Sequence, residues 1–411
     1  MRRKTLATLI AAFGMTGLAF AAQAQQQGKA PLKLSGNEVR IGVITDMSGL
    51  YSDFGGPTAV VAAQMAVEDF GGKIGGMPIT IVSADHQNKA DVAANKVREW
   101  IDTQGVDLVT EGLNSSVALA ISKVVNEKKR IATIVGAATS RLTNEDCNRY
   151  TIHYAYDTYA LAYGTGNAVV QQGGKSWYFL TADYAFGQSL EKDTGDIVKA
   201  AGGTVVGSVK HPLAASDFSS FLLQAQSSKA QIIGLANAGG DTVNSIKAAN
   251  EFGLTRNQKL AGLLMQISDI HSLGLKTAQG LLMTDGWYWD MNDDTRKFAR
   301  RFIEKTKRMP GMVHAGVYST VLQYLKAVEA AGTDDADAVR AQLGKQKIND
   351  VFAKGGYIRE DGRMVHDMYL VEIKKPEESK TPWDYYKVLA TIPAEKAFQP
   401  LAASRCAMVK K

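Results

Sequence analysis

The residues with the most binding chemistry to offer lie in one stretch, Asn114 to Ser140, NSSVALAISKVVNEKKRIATIVGAATS. Ser115 and Ser116 follow Asn114 at one end, and Ala137, Ala138 and Thr139 precede Ser140 at the other. Hydroxyls and the backbone N–H groups of small-residue loops are donors suited to a carboxylate or an amide. Between the loops, Val117, Ile121, Val124 and Val125 recur at helical spacing, Lys128 to Arg130 set positive charge at the helix end, and Ile131 to Val135 is β-rich. In an open parallel sheet the loops after strand ends share a crevice, so both loops would face one ligand. Ser and Thr are also preferred helix N-caps, and that second reading of the same residues stands beside the first.

No catalytic constellation competes with this. The chain has no GxxxxGK[ST] phosphate-loop pattern, no GxGxxG after the first strand, no GxSxG and no HExxH. His86, His153, His211, His271, His314 and His366 are scattered without metal-ligand spacing. Asp293-Asp294 and Asp334-Asp335 fall at helix starts, where the helix dipole favours negative charge. No metal, no cofactor and no catalytic residue is expected.

These loops need elements to hold them. Val39 to Thr45 reads as a strand, and Ala59, Ala63, Ala66, Val67 and Phe70 as one helical face closed by Gly71-Gly72. Strand and helix then alternate through Pro78 to Ser83, Asp91 to Thr103 and Val106 to Thr110 into the central stretch. A second series follows Tyr150 to Tyr156, with strands at Trp177 to Thr181, Thr204 to Val209, Gln231 to Ala236, Lys259 to Leu264 and Gly280 to Thr284. Helices are expected after Asp294 and across His314 to Ala331, then β-rich Gly356 to Arg359, Met368 to Ile373 and Tyr385 to Leu389. The alternation predicts an α/β fold of two Rossmann-like lobes, parallel sheets flanked by helices. No Pro- or Ser-rich tether separates the halves, so several crossings are expected, near Thr151 to Thr158, Asp285 to Met291 and Arg359 to Met368.

The amino terminus addresses the chain for export. Arg2, Arg3 and Lys4 precede a largely apolar Leu6 to Ala22, and Ala22-Gln23-Ala24 is a small-x-small cleavage site, so residues 1–24 read as a signal peptide. Ala19-Phe20-Ala21 is a second candidate site. Cleavage after Ala24 removes three of the charges behind the formal +6 of the 411-residue chain, a balance that does not suggest nucleic acid. Only Cys147 and Cys406 are present, a candidate disulfide in an oxidising compartment.

Together these features resemble a periplasmic substrate-binding protein of an ABC importer, of the branched-chain amino-acid (Leu/Ile/Val-binding) type. The resemblance covers nearly the whole mature chain. It rests on VRIGVITDMSGLYSDFG at Val39 to Gly55, GAATS at Gly136 to Ser140, LTADYAFGQSL at Leu180 to Leu190, and the segment Ser216 to Asp241. It implies a type I periplasmic binding fold with three hinge crossings: a first lobe over 37–155 and 286–362, and a second over 156–285 and 363–411. It also implies a monomer that closes on a small ligand and docks on a permease and ATPase complex at the inner membrane. A receptor serving a membrane signalling partner and a secreted enzyme are the alternatives.

Carried over by position, the first-lobe contacts fall on Phe54, Ser115, Ser116, Ala137, Ala138 and Thr139. The second-lobe contacts fall on Tyr184, on Asn237 or its neighbours Ala238 and Gly239, and on Gln266, with Trp287 and Tyr288 near a crossing. Tyr184 packing on Phe186, and Trp287 packing in the hinge, are the structural readings of the same aromatics. Members that bind α-amino acids hold the ammonium with a second-lobe acid, because a buried cation without countercharge is costly. Gln266 at the aligned place is uncharged, and Asp241 and Asp285 are the nearby acids. A small carboxylate or amide, with an aromatic body among the options, is therefore expected over a branched-chain amino acid.

Overall fold

The computed structural model describes residues 32–410; the predicted signal peptide and both cleavage sites lie outside them. The first series runs β1 (Val39–Thr45), α1 (Gly56–Phe70), β2 (Lys73–Ile74), β3 (Met77–Asp85), α2 (Ala90–Gln104), β4 (Leu108–Glu111), α3 (Ser115–Lys128), β5 (Ile131–Ile134) and β6 (Thr151–His153). These strands form one sheet in the order β2-β3-β1-β4-β5-β6, parallel except where β2 pairs with β3. Alternation along β1 builds a core on each face. Ile41 and Val43 join Ala59 and Ala63 of α1, whereas Ile44 joins Trp100 of α2 and Ile121 of α3. Gly42 is required between them, because a Cβ there would lie 2.7 Å from the Trp100 ring.

The second series begins with α4 (Thr158–Leu161), a π turn over Ala162–Gly166 and α5 (Asn167–Gln171). β7 (Ser176–Ala182), α6 (Ala185–Ala200), β8 (Thr204–His211), α7 (Ser219–Ser227), β9 (Ile232–Ala236), α8 (Gly240–Glu251) and β10 (Lys259–Gly262) follow. Their sheet is fully parallel, in the order β10-β9-β7-β8. Two short helices, α9 (Ile267–Leu273) and α10 (Leu275–Ala278), fill a stretch that the sequence pattern leaves unassigned. The chain then passes through β11 (Leu282–Asp285), α11 (Asp293–Thr306), α12 (Met312–Ala331) and α13 (Ala336–Leu343). α12 packs along α1 and is buried on nearly all sides, which explains its apolar composition around the whole circumference.

The last strands are β12 (Tyr357–Ile358), β13 (Met364–Val365), β14 (Met368–Ile373) and β15 (Tyr386–Ile392). β11 does not extend the second parallel sheet. It pairs antiparallel with β14, and β14 with β15, in a sheet of their own. Two strands separated by so much chain find each other through tertiary packing, which a local pattern does not encode.

Three segments join the halves, and they run side by side. The His366 ring bonds the Ala155 carbonyl through Nε2 at 2.7 Å, and a Cβ on Gly286 would sit 3.4 Å from both that carbonyl and that ring. Arg363, fully buried, donates to the carbonyls of Tyr154, Tyr156 and Met364 and pairs with Asp157 at 3.5 Å. A disulfide between Cys147 and Cys406 ties the chain just before the first crossing to the C-terminal tail.

Candidate ligand-binding site

In each parallel sheet the strand order reverses around the first strand, β1 or β7, and the loops leaving the carboxyl ends at that point form a crevice. The two crevices face each other. Between them lies a cavity of about 10 Å3 lined from the first half by Tyr51, Phe54, Leu113, Ser115, Gly136 and Ala138. Tyr156 of the first crossing and Tyr184, Phe186, Ala238 and Leu264 of the second half complete it. At that size it has room for about one water molecule, so the halves are closed on each other with the space between them nearly filled. A larger depression of about 410 Å3, lined by Gly174, Gln231 and Lys259 among others, lies at the opposite, amino ends of the second-half strands.

The structure separates the two readings of the small-residue loops. Asn114 is the cap of α3, its side-chain oxygen accepting from the Ser116 and Val117 N–H groups at 2.9 and 3.2 Å. The Ser115 hydroxyl is thereby released from capping. It accepts from the Thr139 N–H at 3.2 Å, which stitches the two loops together and leaves its own O–H for the cavity. Ser116 is partly exposed on the helix and does not reach the cavity. Ala138 lines it, whereas the Ala137 carbonyl is taken by the His153 ring at 2.7 Å. Thr139 caps the turn Ser140–Thr143 and bonds Ser189 across the cleft at 2.7 Å.

Of the second-half residues, Tyr184 lines the cavity and packs beside Phe186, so ligand-facing and packing roles coincide. Asn237 is saturated below it: its amide donates to His211 and Ser245, both at 3.1 Å, and accepts from Thr242 at 2.7 Å, while Ala238 takes the lining position. Gln266 sits at the start of α9 with its oxygen toward Gly311, and Leu264, two residues earlier, faces the cavity instead. Trp287 belongs to the crossing. Its indole donates to the Val351 carbonyl at 2.9 Å and meets Phe298 edge-on, away from the cavity. Tyr51, Tyr156, Phe186 and Leu264 are lining residues that position matching passed over, although Tyr51 stands in the same SGLYSDFG loop as Phe54.

Contacts between the halves close the cavity. The Tyr51 and Tyr184 hydroxyls are 2.6 Å apart, and Asp193 of α6, held by Thr158 of its own half at 2.6 Å, accepts from Ser140 across the cleft at 2.8 Å. Gly239, at φ 60°, lets the Leu50–Tyr51 loop approach, since a Cβ there would come within 2.9 Å of the Leu50 carbonyl. Burial shifts the acids nearby toward their neutral forms. Burial raises Asp193 and Asp241 to about 6, Asp285 to about 7 and Glu111 to about 8, against the opposing backbone N–H or hydroxyl donors each receives. Among the described residues no lysine, arginine or histidine lines the cavity. Among the described residues no His, Cys, Asp and Glu group is arranged to hold a metal ion.

Two α/β lobes on three crossings, with a cavity at their facing switch points, define a hinged binder of small solutes. Residues 38–380 match the family model for periplasmic binding proteins, and the chain belongs to that family. It is 62% identical to a periplasmic binding protein of Burkholderia mallei, whose crystal structure superposes with a TM-score of 0.90 over 91% of this chain and 100% of that one. A branched-chain amino acid ABC transporter periplasmic ligand-binding protein of Burkholderia xenovorans is 44% identical, with a TM-score of 0.81 over 90% and 100%. The Leu/Ile/Val-binding protein homolog 6 of Brucella melitensis is 26% identical over 83% of this chain and 88% of its own. The family is periplasmic, binds small molecules and works with ABC transporters. Among the described residues no helix is long and apolar enough to cross a membrane.

Proposed function

We propose that this chain is the exported solute-binding component of an ABC importer and captures a small aromatic carboxylate by closure of its two lobes. The observation that carries the ligand class is the cavity lining. Tyr51, Phe54, Tyr156, Tyr184 and Phe186 surround the space, and Leu264 rather than an acid stands on the second-half wall. Faces of this kind suit a flat ring once the lobes part, and no carboxylate stands in the lining itself to meet an ammonium. The carboxylate would take the Ser115 O–H and the N–H groups of the Gly136–Thr139 loop, and a ring hydroxyl would meet the Tyr51–Tyr184 pair.

In this reading residues 37–155 and 286–362 form the first lobe and 156–285 and 363–411 the second. The signal peptide is cleaved and the monomeric mature protein docks on the permease in its closed form. The ligand's differential affinity for the closed state drives that shift. The test is to purify the protein from the periplasm of cells grown on aromatic acids, denature it, and identify the released small molecule by mass spectrometry. An unchanged aromatic acid is expected. A released branched-chain amino acid would overturn the ligand class, and a chemically converted product would point to an enzyme.

A further inference from the structure

The loop that carries the ligand donors continues past the cavity. Gly136 and Ala138 line it, and the next two side chains, Thr139 and Ser140, reach α6 of the second half. α6 meets them with Ser189 and Asp193, four residues apart and therefore on one face of the helix. The Thr139 and Ser189 hydroxyls are 2.7 Å apart, and Ser140 Oγ donates to Asp193 Oδ2 at 2.8 Å. None of these four side chains lines the cavity, and the binding scheme above uses none of them.

Asp193 is held ready for that bond. Thr158, at the start of α4, donates its hydroxyl to the same Oδ2 at 2.6 Å and accepts from the Ser140 N–H at 3.1 Å. Its own N–H donates to the Ala138 carbonyl at 2.8 Å, so the cluster is tied through the main chain to a residue of the cavity lining. Burial raises Asp193 to about 6, and at pH 7.5 the group is ionised, which makes both hydroxyl bonds charge-assisted. Parting the halves breaks the contacts of Thr139 and Ser140 with α6, whereas the bond between Thr158 and Asp193 lies within one half and survives.

We infer that Ser140 and Asp193, with Thr139 and Ser189 beside them, form a latch that holds the halves closed from outside the ligand site and sets how long a captured solute stays. A contact made only in the closed form shifts the population toward that form, and it must break before the solute leaves. Affinity and residence time therefore depend on side chains that never touch the solute. The inference rests on the reading that the halves close over a small solute, and not on which solute that is.

Disulfide trapping tests it without a ligand. Leu50 and Gly240 meet across the cleft, since a Cβ on Gly240 would lie 2.8 Å from the Leu50 side chain, and neither residue lines the cavity. In the full chain carrying Leu50→Cys and Gly240→Cys, at pH 7.5, the rate of cross-link formation reports how often the halves close. Adding Ser140→Ala or Asp193→Ala should slow it about fivefold, and combining the two should slow it no further than Asp193→Ala alone. Asp193→Asn, whose amide oxygen still accepts from both hydroxyls, should stay within about twofold. Unchanged rates overturn the latch, and so does a loss in Asp193→Ala that Ser140→Ala does not share, because Asp193 would then only brace Thr158. Stopped-flow binding of benzoate gives the second readout. Ser140→Ala should release it about tenfold faster and take it up at a rate within twofold of wild type, since capture occurs in the open form. Benzoate release at the wild-type rate from Ser140→Ala overturns the latch. Slowed cross-linking in a protein that binds no benzoate supports the latch and overturns the aromatic ligand class alone.

Discussion

Ser115 and Ser116 make the sharpest contrast at the scale of single residues. They are adjacent and identical, yet Asn114 does the capping, Ser115 joins the loop of Thr139 and lines the cavity, and Ser116 stays on the helix surface. Ser115→Ala should weaken binding of an aromatic carboxylate by about tenfold, the worth of one hydrogen bond of roughly 1.4 kcal/mol, while Ser116→Ala leaves it within about twofold. Titration calorimetry on both variants checks this, and equal losses would return the loop to a purely structural role. The sequence put Phe54, Ser115, Ala138 and Tyr184 in or beside loops after strand ends, and the fold brings those four to one cavity. Gln266, expected on the second wall, lies outside that lining and Leu264 stands in it, because which of Leu264, Met265 and Gln266 faces inward depends on where α9 starts. The burial of Glu111 with one oxygen unpartnered had no signal in the sequence, because it is a property of packing and not of residue type.

Elements, taken together, show what the periodic pattern can and cannot carry. The repeated alternation specified both parallel sheets, since each β-strand and its following helix bury complementary faces locally. The antiparallel sheet of β11, β14 and β15 joins strands from distant parts of the chain and was legible only as β-rich runs. The crossings depend on a group with no periodic signature, Arg363, whose guanidinium bridges the first and third segments. Arg363→Met should lower unfolding stability by about 3–5 kcal/mol, because Asp157 and the carbonyls of Tyr154 and Tyr156 lose a buried cation. Denaturant unfolding measures this, and a loss below 1 kcal/mol would show that the crossings hold without it. Replacing Cys147 and Cys406 by Ser should cost about 2–4 kcal/mol by the same assay, with ligand affinity retained because the bond lies outside the cavity.

For the whole molecule, buried acids and buried imidazoles set opposing pH dependences. Glu111, Asp269 and Asp285 have folded values raised by burial to about 8, 7 and 7. The native chain therefore binds their protons more tightly than the unfolded chain does, and the stabilisation present at low pH is lost as pH rises through those values. His86, His314 and His366 are lowered to about 4 by burial, so their contribution is present above the ordinary histidine value and is lost as pH falls toward 4. Between about pH 4 and 6.5 the two trends oppose, and above 6.5 only the carboxyls act. The melting temperature of the ligand-free protein should therefore fall steadily from pH 6.5 to 8.5. A rising or flat curve in thermal scans over that window would mean that these carboxyls are ionised in the folded chain.

The claim on which the rest depends is that the lobes close on an aromatic carboxylate and not on an aliphatic amino acid, because rings and an apolar Leu264 form the walls where an acid would be needed. Titration calorimetry at pH 7 of benzoate and 4-hydroxybenzoate against leucine and valine tests that most directly. The account predicts saturable binding of at least one of the aromatic acids, with the negative heat-capacity change of apolar burial, and no measurable heat from leucine or valine. Tight leucine or valine binding with no response to either aromatic acid would contradict it.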